Sequence, residues 1–167
     1  MIAVNSADDV TPIVPRALCF AIDYGQSLEE MIAAGHYGRV NRNITAKHFP
    51  IKPKRSLFIR RRVVRFEAQC IHPNRCISSE NVLNVIGYVD TCNPWMPANI
   101  EQILSYGAVF PEEQCKHPIV GLGSVAEVIG GRGVPSLGRV NFSRELLLSG
   151  WDGMWTPEYR FLAVREI

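Results

Sequence analysis

The chain has 167 residues and a formal net charge of +2, with 47% hydrophobic and 20% charged residues. That balance excludes intrinsic disorder, and the length suits one ordinary domain. The best apolar run, Ala17 to Ile22, is too short to span a bilayer, and residues 1–15 lack the basic start and apolar stretch of a signal peptide.

Residues 1–16, with Pro12 and Pro15, are expected to form an irregular N-terminal arm, followed by one domain over 17–167. Residues 17–23 (ALCFAID) predict a buried strand. Ser27 and Glu30 stand at the spacing of a capping box. Leu28, Met31 and Ile32 share one helical face behind it, and Gly35 is expected to end the helix at C′. Residues 36–56 read as loop. From 57 to 71 the pattern is that of a strand, with Val64, Phe66, Ala68 and Cys70 on one face and Arg65, Glu67 and Gln69 on the other. A second helix is predicted from Ser78 to Ile86, stopped by Gly87. A third starts near Asn99, carries Ile100, Ile103 and Leu104 on one face, and ends at Gly107. Helices this short need an apolar surface to pack on. Residues 118–167, punctuated by glycines and prolines, predict several strands, with 129–145 and 149–158 as the longest loops. Segregated rather than alternating elements make the expected class α+β.

The chemistry-bearing patterns are sparse. Five cysteines, an odd number without a leader, point to reduced thiols and a cytoplasmic setting. Cys70-x-His72-x3-Cys76, with Cys92 beyond, lacks the second tight pair that wraps a zinc ion, and Cys115-x-His117 is a weak substitute. No metal and no cofactor is expected. Gly121, Gly123 and Ala126 mimic a dinucleotide fingerprint, but Gly130, Gly131, Gly133 and Pro135 break the crossover helix that it needs. Lys52, Lys54, Arg55, Arg60, Arg61, Arg62 and Arg65 place seven of the 18 basic residues in 14 positions. They are candidates for phosphate contacts with nucleic acid, or for a charged sheet edge that blocks aggregation or mediates self-association. His72, Cys70, Asp90 and Cys92 are the residues around which an enzymatic pocket is most readily imagined. Trp151 and Trp155, two tryptophans in a glycine-bearing segment, are either a plug on the core or a recognition surface.

The segment Ile77–Ile167 resembles the C-type-lectin-like fold of formylglycine-generating-enzyme-like and fibrobacter-type domains. The resemblance runs through SSENVLNVIGY, WMPANIEQIL, PIVGLGSV and ELLLSGWDGMWTPEYRFLAVRE. The whole chain also looks like a group of bacterial and phage proteins. The likeness implies a short twisted antiparallel sheet with two to three short helices and long C-terminal loops. No cysteine follows Cys115, so the reactive pair of the formylglycine-generating enzymes is missing. The calcium-holding Glu-Pro-Asn and Trp-Asn-Asp motifs of sugar-binding lectins are missing too. What the resemblance leaves is a scaffold whose loops bind, as in the variable proteins of diversity-generating retroelements. The expected function is a non-enzymatic binding module, with a protein or small ligand held on the loops 130–145 and 149–158. Arg132, Arg139, Asn141, Arg144, Trp151, Asp152 and Trp155 are its candidate contacts, and no membrane is expected as a partner.

Overall fold

The computed structural model describes residues 17–51, 63–88 and 93–167. The expected arm 1–16, most of the basic segment, and Asp90 and Cys92 lie outside these. The first elements follow the sequence closely. Strand β1 (Leu18–Asp23) precedes helix α1 (Leu28–Ala34), which carries both halves of the Ser27/Glu30 capping box. Gly35 has a right-handed backbone, and the left-handed residue that turns the chain is His36, with φ 49°. Strand β2 (Arg39–Val40) interrupts what the sequence presents as loop. Strand β3 (Val63–Ile71) buries Phe66 and Ala68 on the expected face and leaves Arg65 exposed.

Strand β4 (Ile77–Ser78) leads into helix α2 (Ser79–Tyr88), where Ser78 Oγ accepts from Asn81 N and acts as the cap. The helix runs one residue past Gly87. After strand β5 (Met96–Pro97), helix α3 (Ile100–Val109) starts at the Asn99 cap, with Gln102 completing the box. Gly107 lies inside α3 rather than ending it. A Cβ there would come within 2.5 Å of Tyr37 Oη and 2.8 Å of Leu137 Cδ1, so the glycine permits a close approach. Helix α4 (Glu113–Lys116) is a single turn.

The remaining strands are β6 (Ile119–Val120), β7 (Ala126–Val128), β8 (Gly131–Val140), β9 (Ser143–Gly150), β10 (Met154–Trp155) and β11 (Arg160–Glu166). Nine strands form one mixed sheet. Its main path is β1-β3-β11-β6-β8-β9-β2, with β5 on β11 and β7 on β8. The β11–β6 and β2–β9 pairs are parallel. A second sheet joins β10 to β4.

This corrects the expected fold class. The protein is mostly β, with a large mixed sheet and four short helices among the described residues, not a short twisted antiparallel sheet with two to three helices. The difference lies in residues 131–140, which the glycines and proline mark as loop. In the sheet, Gly133 and Gly138 leave room for Leu148 and Leu147, whose side chains would crowd any Cβ. Pro135 falls between the stretch of β8 paired with β7 and the stretch paired with β6. A strand can carry a proline where ladder pairing is interrupted.

Both faces of the sheet are covered. Phe20, Phe66, Leu137 and Leu162 pack with Leu28 and Met31 of α1 and Ile103, Leu104 and Tyr106 of α3. On the opposite face, Ile71, Val120, Val134 and Phe161 pack with Val82 and Ile86 of α2, Ile77, Trp95, Trp151 and Trp155. Consecutive residues of β11 divide between the two cores, Leu162 and Val164 in the first and Phe161 and Ala163 in the second. That is the two-residue period of a strand buried on both sides. Among the described residues, no helix is long and apolar enough to cross a membrane.

Candidate functional site

The seven candidate contacts do not form one surface. They divide between the two ends of the β8–β9 hairpin, roughly 30 Å apart for a ten-residue strand. Arg132, Trp151, Asp152 and Trp155 lie at one end. Arg139, Asn141 and Arg144 lie at the other.

At the first end the tryptophans belong to the core. Trp151 and Trp155 are both buried. Trp155 Nε1 donates to Ser79 Oγ (2.9 Å), and Ser79 Oγ donates in turn to the Trp151 carbonyl (2.8 Å). The Trp155 ring meets Tyr159 and Phe161 edge-on, with centroids 5.0 and 5.5 Å away. Trp151 Nε1 donates to Glu80 Oε1 at 3.2 Å. These contacts fasten α2 and the small sheet to the large one, so neither ring is presented to a partner. Arg132 forms an exposed ion pair with Asp152 and lies 5.6 Å over the Trp151 ring. The hydrogen bond from Arg132 holds the Asp152 carboxyl below its usual range. An exposed pair of this kind contributes little to stability.

At the second end Arg144 also faces inward. Its guanidinium donates to the carbonyls of Gly35 (2.8 Å) and Gly107 (2.7 Å) and to Gln114 Oε1 (3.0 Å). It lies 5.2 Å over the Tyr37 ring, whose hydroxyl is pushed up to about 12 by burial. One arginine thus ties the end of α1, α3 and α4 to β9. Gln114 completes the tie by donating to the Gly138 and Glu145 carbonyls.

Arg139 and Asn141 are exposed. The register brings Val140 opposite Ser143, so Asn141 and Phe142 are the whole turn. Both have positive φ, 47° and 67°, as a type I′ hairpin turn requires. Asparagine suits the first position. Glycine ordinarily fills the second, because a left-handed residue with a Cβ costs about 1–2 kcal/mol. Here it is Phe142, 89% exposed, with the Arg139 guanidinium 5.0 Å over its ring. Val140 beside it is also exposed. Phe142 was not among the sequence candidates. The signal for it was Asn-Phe between two apolar-patterned runs, a muted form of the Asn-Gly hairpin signature.

The other candidates fare differently. Of the basic segment, Lys52, Lys54, Arg55, Arg60, Arg61 and Arg62 lie outside the described residues, and Arg65 is exposed on β3 beside β1. Cys70 lies on the α3 side of β3, its Sγ 3.7 Å from Tyr106 Oη. Burial pushes its thiol up to about 11, which leaves it protonated and a poor nucleophile at neutral pH. His72 Nε2 donates to the Pro157 carbonyl at 2.9 Å. Among the described residues, no three His, Cys, Asp or Glu side chains are grouped to hold a metal ion. The glycines of the nucleotide-like motif are explained by packing. Gly123 N donates to the Ala98 carbonyl at 2.8 Å, and a Cβ at Gly123 would come within 2.3 Å of the Pro97 carbonyl oxygen. No crossover helix follows them, since β7 comes next.

Comparison of the chain with protein-family models, with curated proteins and with solved structures finds no match to any of them. The C-type-lectin-like resemblance therefore rests on its short motifs alone.

Proposed function

We propose that the protein is a non-enzymatic binding module that meets a protein partner through the tip of the β8–β9 hairpin, residues 139–142. The observation that supports this is the Phe142 side chain, exposed on a left-handed backbone. Within the fold, among the described residues, the ring gains only the stacking of Arg139. Exposing the ring forgoes about 1.5–3 kcal/mol of burial, and the backbone adds about 1–2 kcal/mol of strain. Strain held at a surface turn, with an aromatic ring as its only product, is accounted for by a contact outside the chain. The fitting partner offers an apolar socket for Phe142 and a carboxylate at its rim for Arg139. Aromatic and arginine side chains are the residues that dominate such contacts.

The test is site-specific photo-crosslinking in the cells that produce the protein. A benzophenone amino acid at position 142 is expected to give one discrete adduct with a second protein. The same group at Ile129, equally exposed at the opposite end of β8, is expected to give none. Equal adducts from both positions, or none from position 142, would contradict the proposal.

A further inference from the structure

A cleft of about 260 Å³ opens beside the hairpin, between α4 and the strands β8 and β9. Its wall carries Lys116, His117 and Arg139, with Pro118, Gly138 and Leu147 as an apolar floor. No carboxylate lines it among the described residues. We propose that this cleft binds the phosphate group of a small phosphate monoester.

The side chains that line the cleft are basic, and Glu113 stands outside the lining, paired with Lys116. Arg160 stands behind His117, its Nη2 3.5 Å from His117 Nε2. Its other contacts are the carbonyls of Pro157, Glu158 and Tyr159, so no acid neutralises it in that network. An arginine can only donate. In that contact His117 Nε2 accepts, which puts the proton of the neutral ring on Nδ1. Burial, Arg160, His72 and Lys116 all hold the imidazole below its ordinary value, with Glu113 acting the other way. Lys116 pairs with Glu113 at 2.7 Å and also feels Glu112, but this is a surface pair. Such a pair is weakened by solvent screening and yields readily to a better-placed anion.

The ligand class follows from charge and size. A phosphate monoester carries about −1.5 to −2 charges at pH 7 and three acceptor oxygens. That matches the two cations of the lining, the His117 ring and the field of a third cation. A monocarboxylate would leave most of this charge unanswered. The cavity falls below the roughly 300–1,000 Å³ of sites for drug-sized ligands, so the ligand is small. The floor of Pro118 and Leu147 suits its organic part.

The experiment is a titration of the isotopically labelled full chain with sodium phosphate at fixed ionic strength, followed by amide resonances. Saturable shifts confined to residues 114–118 and 138–139 are expected. Sodium acetate at the same ionic strength is expected to bind at least about tenfold more weakly. Arg139→Gln and Lys116→Gln are each expected to weaken phosphate binding by about tenfold with the spectrum elsewhere unchanged. The His117 ring is expected to titrate at higher pH with phosphate bound than without it. Shifts that never saturate, equal binding of acetate, or wild-type binding by Arg139→Gln would overturn the proposal. Lys116→Gln is expected to leave crosslinking from position 142 unchanged, so failure of this site is distinguishable from failure of the hairpin-tip contact.

Discussion

Strand β8 begins and ends in a two-residue turn, and the two turns differ in which residues carry left-handed backbone. The β7–β8 turn, Ile129–Gly130, has one left-handed residue, Gly130 (φ 101°), and Gly131 (φ 130°) opens β8. The β8–β9 turn is left-handed at both of its positions, Asn141 and Phe142. At the glycine end, the nearby aromatic rings, Trp151 and Trp155, are folded inward and hydrogen-bonded to α2. At the other end the aromatic ring stands in solvent. One end of the hairpin is fastened by the fold, and at the other the ring is covered, among the described residues, only by the Arg139 guanidinium. Aromatic content alone therefore does not mark a binding surface.

The largest expected effect probes the closed end. Trp155→Ala should destabilise by about 3–5 kcal/mol, measured by denaturant unfolding, because it opens a cavity and removes the donor to the Ser79 hydroxyl. A loss below about 1 kcal/mol would show that this end is not fastened through the tryptophan. Arg144→Ala follows at about 2–4 kcal/mol, since it leaves the Gly35 and Gly107 carbonyls without their charged donor. An effect on binding with no effect on stability would instead return Arg144 to the contact surface.

The core beneath the tip is also expected to set an alkaline limit. Cys70 is raised from 9.0 to about 11 and Tyr37 from 10.0 to about 12, both by burial. The unfolded chain then releases these protons at lower pH than the folded one. The stability they contribute is complete below pH 9 and declines as pH rises through about 11–12. A loss of about 1–2 kcal/mol between pH 9 and 11 is expected, flattened in Cys70→Ala. An identical pH profile in that variant would remove Cys70 from the account.

What the sequence conveyed was local. The Ser27/Glu30 box, the Asn99 cap and the alternation of β3 each depend on residues within one turn or one face, and each is where the pattern places it. What it hid was long-range. Gly133 and Gly138 look like breakers until Leu148 and Leu147 arrive across the hairpin to need the space. Trp151 and Trp155 look like a surface pair until Ser79, more than 70 positions earlier, receives them. The candidate contacts come from one hairpin and the segment that follows it, but from both of its ends. Phe142 was missed because an asparagine followed by phenylalanine lacks the glycine that normally announces a type I′ turn.

The smallest expected effect is the most direct test of the central claim that Phe142 serves a contact and not the fold. Phe142→Gly relieves the left-handed strain, offset by the added freedom of the unfolded chain and by loss of the Arg139 stacking. The free energy of unfolding, measured by urea denaturation, is expected to stay within about 1 kcal/mol of wild type, on the stabilised side. A destabilisation of about 2 kcal/mol or more would make Phe142 a structural residue and contradict the claim.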